Sequence, residues 1–240
     1  KEGYNIAHIE ALMRSHDMRM LEETNRICCD SVSDLLLTYH HNYLIYTSKL
    51  FGATSVVGNT IVEPTLKHMP QEEQTQSHIL VDIHRPENFK DPERLSKILR
   101  ICSNIKAYEQ KPVYFLEFQR TMKAITDYGL SVKGLDSIPL MGYKDHLNLQ
   151  YHSKYIISDS GTDQEQPALL KVPVFVPRQY TERPESYLNY CSCPLSMHKD
   201  NSKEFLDRHA KMMRSSMDSD WLYTCEETSK IITDELLIFR

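Results

Sequence analysis

Apolar residues in this chain come in short runs separated by amphipathic stretches, and the spacing of the two kinds outlines its elements. Asn5-Ile6-Ala7-His8-Ile9 predicts a short strand whose end delivers Glu10. Leu21 to Leu37 opens with Glu22 and Glu23 and carries Ile27, Val32, Leu35 and Leu36 at helical spacing, which predicts one helix. Ser55 to Thr60 reads as a strand entering a tight turn at Gly58-Asn59. His68 to Ser77 is polar and without period, the best candidate linker. Beyond it the alternation becomes regular. Strands are predicted at Ile79–Val81, Val113–Leu116, Tyr155–Ile157 and Val172–Val176, and helices at Pro92–Tyr108, Thr121–Tyr128, Leu147–His152 and Gln164–Leu170. The last forty residues read as two helices with Trp221 between them. Strands alternating with helices imply an α/β fold, a parallel sheet covered on both faces, with ligands at the carboxyl ends of the strands.

At 240 residues and 28.1 kDa the chain has room for one large domain, or one domain and a fragment of another. A net charge of -5 and a pI near 6.1 supply no general basic field, which argues against duplex nucleic acid or an anionic membrane surface as partner. No apolar run approaches the roughly 20 residues that span a bilayer, and Lys1 to His8 lacks the apolar core of a secretory signal, so a soluble, cytoplasmic protein is expected. Cys28, Cys29, Cys102, Cys191, Cys193 and Cys225 show no Cys-x-x-Cys pair and are read as reduced, mostly buried thiols. The 11 histidines are not patterned as metal ligands.

Candidate chemistry concentrates in Ser158-Asp159-Ser160-Gly161-Thr162-Asp163-Gln164-Glu165-Gln166, followed by Arg178 and Thr181-Glu182-Arg183-Pro184-Glu185. A Ser-Gly turn opening a helix offers backbone N–H groups to an anion, and a nearby arginine can pair with phosphate oxygens. The ligand suggested is a nucleotide or nucleotide sugar. Three further clusters stand at strand ends or helix starts: His8-Ile9-Glu10-Ala11 with Arg14-Ser15, Glu22-Glu23-Thr24-Asn25-Arg26, and His84-Arg85-Pro86-Glu87-Asn88. Taken alone, Glu10 reads as a strand-end surface carboxylate, Glu22 as a first-turn carboxylate favoured by the helix dipole, and Arg183 as a partner of Glu182 or Glu185.

In this order, with Val57-Gly58-Asn59-Thr60 between the second and third, these clusters closely resemble the non-hydrolysing UDP-N-acetylglucosamine 2-epimerases, from about His8 to about Glu185. The resemblance implies two Rossmann-like halves of the glycosyltransferase-B type with the substrate in the cleft between them. It divides this chain into a partial first half at residues 1–67, a linker at 68–78, a nucleotide-binding half at 79–200 and C-terminal helices at 201–240. It further implies interconversion of UDP-N-acetylglucosamine and UDP-N-acetylmannosamine by elimination of UDP and its re-addition after reprotonation at C2. Glu10 and Glu22 then match the acid and base at C2, and His84 the histidine at the diphosphate, with Arg85 beside it. Ser160 and Gly161 match the diphosphate-binding turn, and Arg183 the arginine that contacts the nucleotide. No cofactor or metal is implied, and the usual assembly is a dimer. The alternative is a catalytically inactive derivative of the family that binds a UDP-sugar or serves as an assembly scaffold.

Against the family pattern, roughly the first hundred residues of a usual member are expected to be absent. Leu12 stands at a family glycine, Leu21 at a proline, and Phe118-Gln119 at a His-Pro pair. Thr162 stands at a second glycine and Gln166 at a ribose-binding glutamate. Gln166 can still accept a hydroxyl hydrogen bond, less strongly than a carboxylate.

Overall fold

The structure, a computed structural model, describes residues 3–197, 201–223 and 227–239, so Cys225 and the ends of the chain lie outside the described residues. It divides into two compact units. The first comprises Lys1–Lys67, Tyr180–Pro184 and Ser219–Arg240, and the second His68–Gln179 and Glu185–Asp218.

In the first unit β1 (Ala7–Ile9), β2 (Leu35–Thr38) and β3 (Ala53–Val56) form a parallel sheet in that order. Helix α1 (Leu21–Val32) is shorter than the pattern predicts, and Leu35 and Leu36 lie in β2. The helix ends because Ser33 takes an extended conformation with its N–H on the Asp30 carbonyl, after which Asp34 N–H pairs with Ile6 O and the chain joins the sheet. Ile27 and Val32, whose spacing helped predict the helix, are exposed, and Glu23 and Asp30 are the buried residues of α1. Entry to β3 needs a glycine, since a Cβ on Gly52 would lie 2.7 Å from Ser33 O. Helix α2 (Val62–His68) closes this segment. The core joins Leu35, Leu37 and Val57 to Ile232 of the C-terminal helix.

The second unit carries β4 (His78–Asp82), α3 (Pro86–Phe89), α4 (Pro92–Glu109), β5 (Val113–Leu116), α5 (Gln119–Asp127), β6 (Asp136–Ile138), α6 (Tyr143–Tyr151), β7 (Ser153–Ser158), α7 (Gln166–Leu169), β8 (Val174–Val176), α8 (Pro184–Leu188), β9 (Ser192–Pro194) and α9 (Lys203–Ser216), with α10 (Thr228–Ile238) returning to the first unit. Trp221 sits in a 3-10 turn between the last two helices. Six parallel strands run in the order β6-β5-β4-β7-β8-β9. The central β4 is buried throughout, as a strand covered on both faces must be, and its apolar letters carry no alternation. Leu80, Leu116, Ile156, Val174 and Val176 form the core with Leu147 of α6. The long α4 starts where Asp91 accepts N–H groups from Glu93 and Arg94, ahead of Pro92 in the first turn, and it ends on Gln110 in the left-handed region at φ 56°.

The thiol expectation needs correction. Cys102 and Cys191 are buried, Cys193 is half-buried, and all five described cysteines are free, but Cys28 and Cys29 are exposed. They lie on the solvent side because α1 turns its carboxylates inward. Asp30 shows why: its carboxylate takes His8 Nδ1 at 2.6 Å, Arg14 Nη2 at 2.5 Å and Leu12 N–H at 3.2 Å. Burial works to raise the Asp30 pKa, yet the bonds from His8 and Arg14 outweigh it and hold the group below its ordinary 3.8. Because the folded value is the lower one, the stabilisation is complete above pH 3.8 and lost as pH falls through the folded value. Asp30→Ala is expected to destabilise the first unit by about 3 kcal/mol or more, since it leaves Arg14 without its buried counter-charge. Denaturant unfolding at pH 7 and pH 3 checks this, with the difference from wild type shrinking at the lower pH.

Candidate active site

In the six-stranded sheet the chain order reverses at β4 and β7: β5 and β6 lie on one side, β8 and β9 on the other. Carboxyl ends of strands at such a reversal splay apart and leave a crevice. Two of the sequence clusters of the second unit leave from these two strands. Beyond β4 comes His84-Arg85-Pro86-Glu87-Asn88, and beyond β7 comes Asp159-Ser160-Gly161.

Asp159 joins them. Its fully buried carboxylate accepts the N–H of His84 at 3.0 Å, the N–H of Arg85 at 3.1 Å and Nδ2 of Asn88 at 2.8 Å. Asn88 in turn accepts Arg94 Nε at 2.5 Å, and Arg94 also reaches Pro177 O. Arg178 lies buried alongside, with Nη1 3.5 Å from Asp159 O and Nε 3.6 Å from Glu87. A second carboxylate, Asp82 at the end of β4, binds the His84 ring with Oδ1 2.7 Å from Nδ1. The ring packs at 4.7 Å from Phe118, and with Phe118, Gln119, Arg120 and Leu140 it lines a cavity of about 330 Å3.

Burial, with help from Asp163 and Asp159, pushes Asp82 up to about 7. Burial opposes charge on His84, but the hydrogen bond and charge of Asp82 overcome it and raise the histidine. Ligand atoms of Asp82, His84 and Asp159 lie within 4.8 Å of one another, yet Asp159 is spent on three N–H groups and Nδ1 on Asp82. This donor set is a hydrogen-bonded cluster and does not suit a cation.

Past the Ser-Gly turn the chain departs from expectation. Instead of one helix over Gln164–Leu170 there is a 3-10 turn at Thr162–Gln164 and the four-residue α7, because Pro167 falls in the first turn and cannot donate to a continuous ladder. So short a helix contributes little dipole, and the Ser160 N–H is already given to Ser158 Oγ at 3.0 Å. Gln166 is buried and donates Nε2 to Gln150, which donates to Asp163.

In the first unit Glu10 leaves β1 with φ 67° and receives two arginines: Arg26 Nη2 at 3.2 Å and Arg183 Nη2 at 2.8 Å, both on Oε1. Among the described residues none donates a hydrogen bond to Oε2, and the carboxylate remains partly exposed. Arg183 is buried and bonds Glu182 as well at 2.5 Å, so its ion pair is an interior one. Of the adjacent carboxylates on α1, Glu23 is buried and accepts Ser15 N–H, Ser15 Oγ and His16 N–H, which makes it the anchor of the loop. Glu22 is half-buried one position earlier. His84 belongs to the second unit and Glu10 and Glu22 to the first.

Sequence reading quoted Asp159 and Glu23 within its clusters without giving them a role, and passed over Asp82 and Asp30. A buried carboxylate between apolar strand and polar loop is the signal: Val81-Asp82-Ile83 sets an acid inside an apolar run with no solvent-facing alternation to explain it.

The sequence profile described as UDP-N-acetylglucosamine 2-epimerase matches residues 1–237. A UDP-N-acetylglucosamine 2-epimerase of Methanococcus maripaludis is 34% identical over 211 residues, which are 78% of this chain and 57% of that protein. One from Methanocaldococcus jannaschii is 33% identical over 207 residues, 76% of this chain and 56% of its own. The chain thus spans a little over half the length of these relatives. A solved structure of the Methanocaldococcus jannaschii UDP-GlcNAc 2-epimerase, in complex with UDP-GlcNAc and UDP, superposes with a TM-score of 0.83 at 29% identity, covering 98% of this chain and 69% of that one.

At Leu12, where the resemblance expects glycine, the backbone keeps the left-handed conformation a glycine would favour, φ 70°, while the leucine is fully buried. The conformation costs roughly 1–2 kcal/mol. Truncating a buried leucine costs about 2–5 kcal/mol. Burial wins, so Leu12→Gly is expected to lower stability by about 1–3 kcal/mol in urea unfolding; a gain would show that strain dominates there.

Proposed function

The chain belongs to the UDP-N-acetylglucosamine 2-epimerase family, and from that membership we propose that it interconverts UDP-N-acetylglucosamine and UDP-N-acetylmannosamine. The reaction breaks two bonds, C2–H and the C1–O bond to UDP. The pair from C2–H forms the C1=C2 double bond of a 2-acetamidoglucal, and UDP departs with the pair from C1–O. Reprotonation of C2 on the opposite face with re-addition of UDP completes the inversion. No carbonyl adjoins C2 to acidify its proton, so placed carboxylates must move it, and charge growing on the diphosphate must be met by fixed donors.

The reading is supported most by one observation: the ends of β4 and β7, at the reversal of strand order, carry His84 with Arg85 and Ser160 with Gly161, locked to each other through Asp159. In the proposal His84 and Arg85 meet the diphosphate, and Ser160 and Gly161 border it. Glu10 and Glu22 exchange protons at C2 as base and acid on opposite faces. Support for Glu10 comes from its open Oε2, whose twin is held by two arginines, and support for Glu22 from the commitment of neighbouring Glu23 to the loop. Arg183 contacts the nucleotide. These roles need no redox cofactor, and a nucleotide-sugar substrate suits a cytoplasmic protein. Among the described residues no helix is long and apolar enough to cross a membrane. A dimer belongs to the same proposal, supported by the exposed Leu21, Ile45 and Phe51 of the first unit.

Incubation with UDP-N-acetylglucosamine in deuterated water is expected to place deuterium at C2, read by mass spectrometry or proton NMR. Glu10→Gln and Glu22→Gln are each expected to slow exchange by at least about a hundredfold with little change in UDP affinity. Arg183→Ala is expected to weaken UDP binding first. Retained exchange in Glu22→Gln would remove that residue from the proton transfer, and UDP binding without any exchange would leave a binding protein.

A further inference from the structure

Two buried carboxylates flank His84, and they hold different things. Asp159 accepts backbone N–H groups and Asn88, so it shapes the loop. Asp82 has one side-chain hydrogen bond among the described residues, to the imidazole. An aspartate that is 4% exposed and buttresses no loop, helix end or arginine stabilises little of the fold, and its burial is costly. What it controls is a ring whose side chain is 30% exposed and borders the cavity with Phe118 and Arg120. The Nε2 of that ring has no hydrogen bond to any described residue.

We propose that Asp82 is the positioning residue of His84: it accepts a hydrogen bond from Nδ1–H, fixes which ring nitrogen carries the proton when the ring is neutral, and presents Nε2–H of a charged imidazole to the diphosphate. The inference rests on the family reading above and adds a residue to it. In elimination the imidazolium donates a hydrogen bond, or its Nε2 proton, to the departing diphosphate oxygen; in re-addition the same proton returns, so the pair ends each cycle as it began. A backbone carbonyl could fix the tautomer as well. Only a carboxylate also supplies the counter-charge that keeps the ring protonated inside the protein.

Several other groups bear on the charge of His84. Asp159 lies 3.7 Å from Nδ1, and Asp163 of the 3-10 turn acts on Asp82. Arg85 on the same loop opposes the charge. Arg120 of α5 lines the cavity, and Arg178 is placed on Asp159 and Glu87. Among the described residues Asp82 alone is in hydrogen-bond contact with the ring.

The test is Asp82→Asn, an isostere that keeps a hydrogen-bond acceptor and removes the charge. By 15N NMR of the unliganded chain, the wild-type His84 ring is expected to carry its proton on Nδ1 when neutral and to stay charged above the ordinary histidine range. In the variant its titration midpoint falls by about one unit or more, which near pH 7.5 is close to a tenfold loss of charged ring. The alkaline limb of kcat against pH moves down by the same interval, and KM for the sugar moiety changes little. An unmoved midpoint, or a neutral wild-type ring protonated on Nε2, would overturn the proposal, and the second of these is read on wild type even if the variant does not fold. Absence of C2 exchange, with the NMR shifts as expected, would sink the epimerase reading and leave the dyad standing. Exchange with an unchanged kcat profile in Asp82→Asn would do the reverse.

Discussion

Asp159 is the tie on which the second unit's site depends. A carboxylate with no solvent contact must find donors within the protein, and Asp159 finds three on one loop, the amides of His84 and Arg85 and the Asn88 side chain. That arrangement welds the end of β7 to the residues following β4, the two strands at which the sheet reverses its order. Without it, His84 and the Ser160-Gly161 turn would be two loops at neighbouring strand ends, each free to move. The same carboxylate takes the amides of His84 and Arg85, the two residues that lead into the short α3, whose N-cap residue makes no side-chain capping bond.

The first unit repeats the device with other residues. Asp30 gathers His8, Arg14 and the Leu12 amide, and Glu23 gathers Ser15 and His16, so the irregular loop after β1 is held by α1 from two points a little under two turns apart. Three residues of that loop, Glu10, Leu12 and His16, stand at positive φ without being glycine. Backbone of that kind persists only where surrounding bonds over-determine it. Here they do, and the consequence is a Glu10 whose carboxylate is gripped on one oxygen by Arg26 and Arg183 and left open on the other.

Much of this was legible in the letters. The apolar runs of β4, β5 and β7, the start of α4 at Pro92 and the ordered clusters that carry the family resemblance are short-range signals of spacing and residue type. The elements that escaped are those with weak local patterns: β6 and β9 are three-residue edge strands, and β2 hid within the helical spacing after α1 because Leu35, Leu36 and Leu37 fit either period. The carboxylate anchors escaped for another reason. Nothing near Asp82, Asp159 or Asp30 in sequence says which loop each will meet, since their partners lie up to 75 residues away and are chosen by strand order. Exposure of Cys28 and Cys29 follows from the same choice, once α1 commits Glu23 and Asp30 to the interior.

The central claim is that the loops locked by Asp159 form a diphosphate site. Titrating UDP into the 15N-labelled chain and following backbone amides tests it most directly. The account predicts saturable shifts concentrated at His84, Arg85 and Gly161, abolished in Asp159→Ala while distant amides of β5 and α4 keep their positions. Saturable binding whose shifts fall elsewhere and leave those three amides unmoved would contradict it.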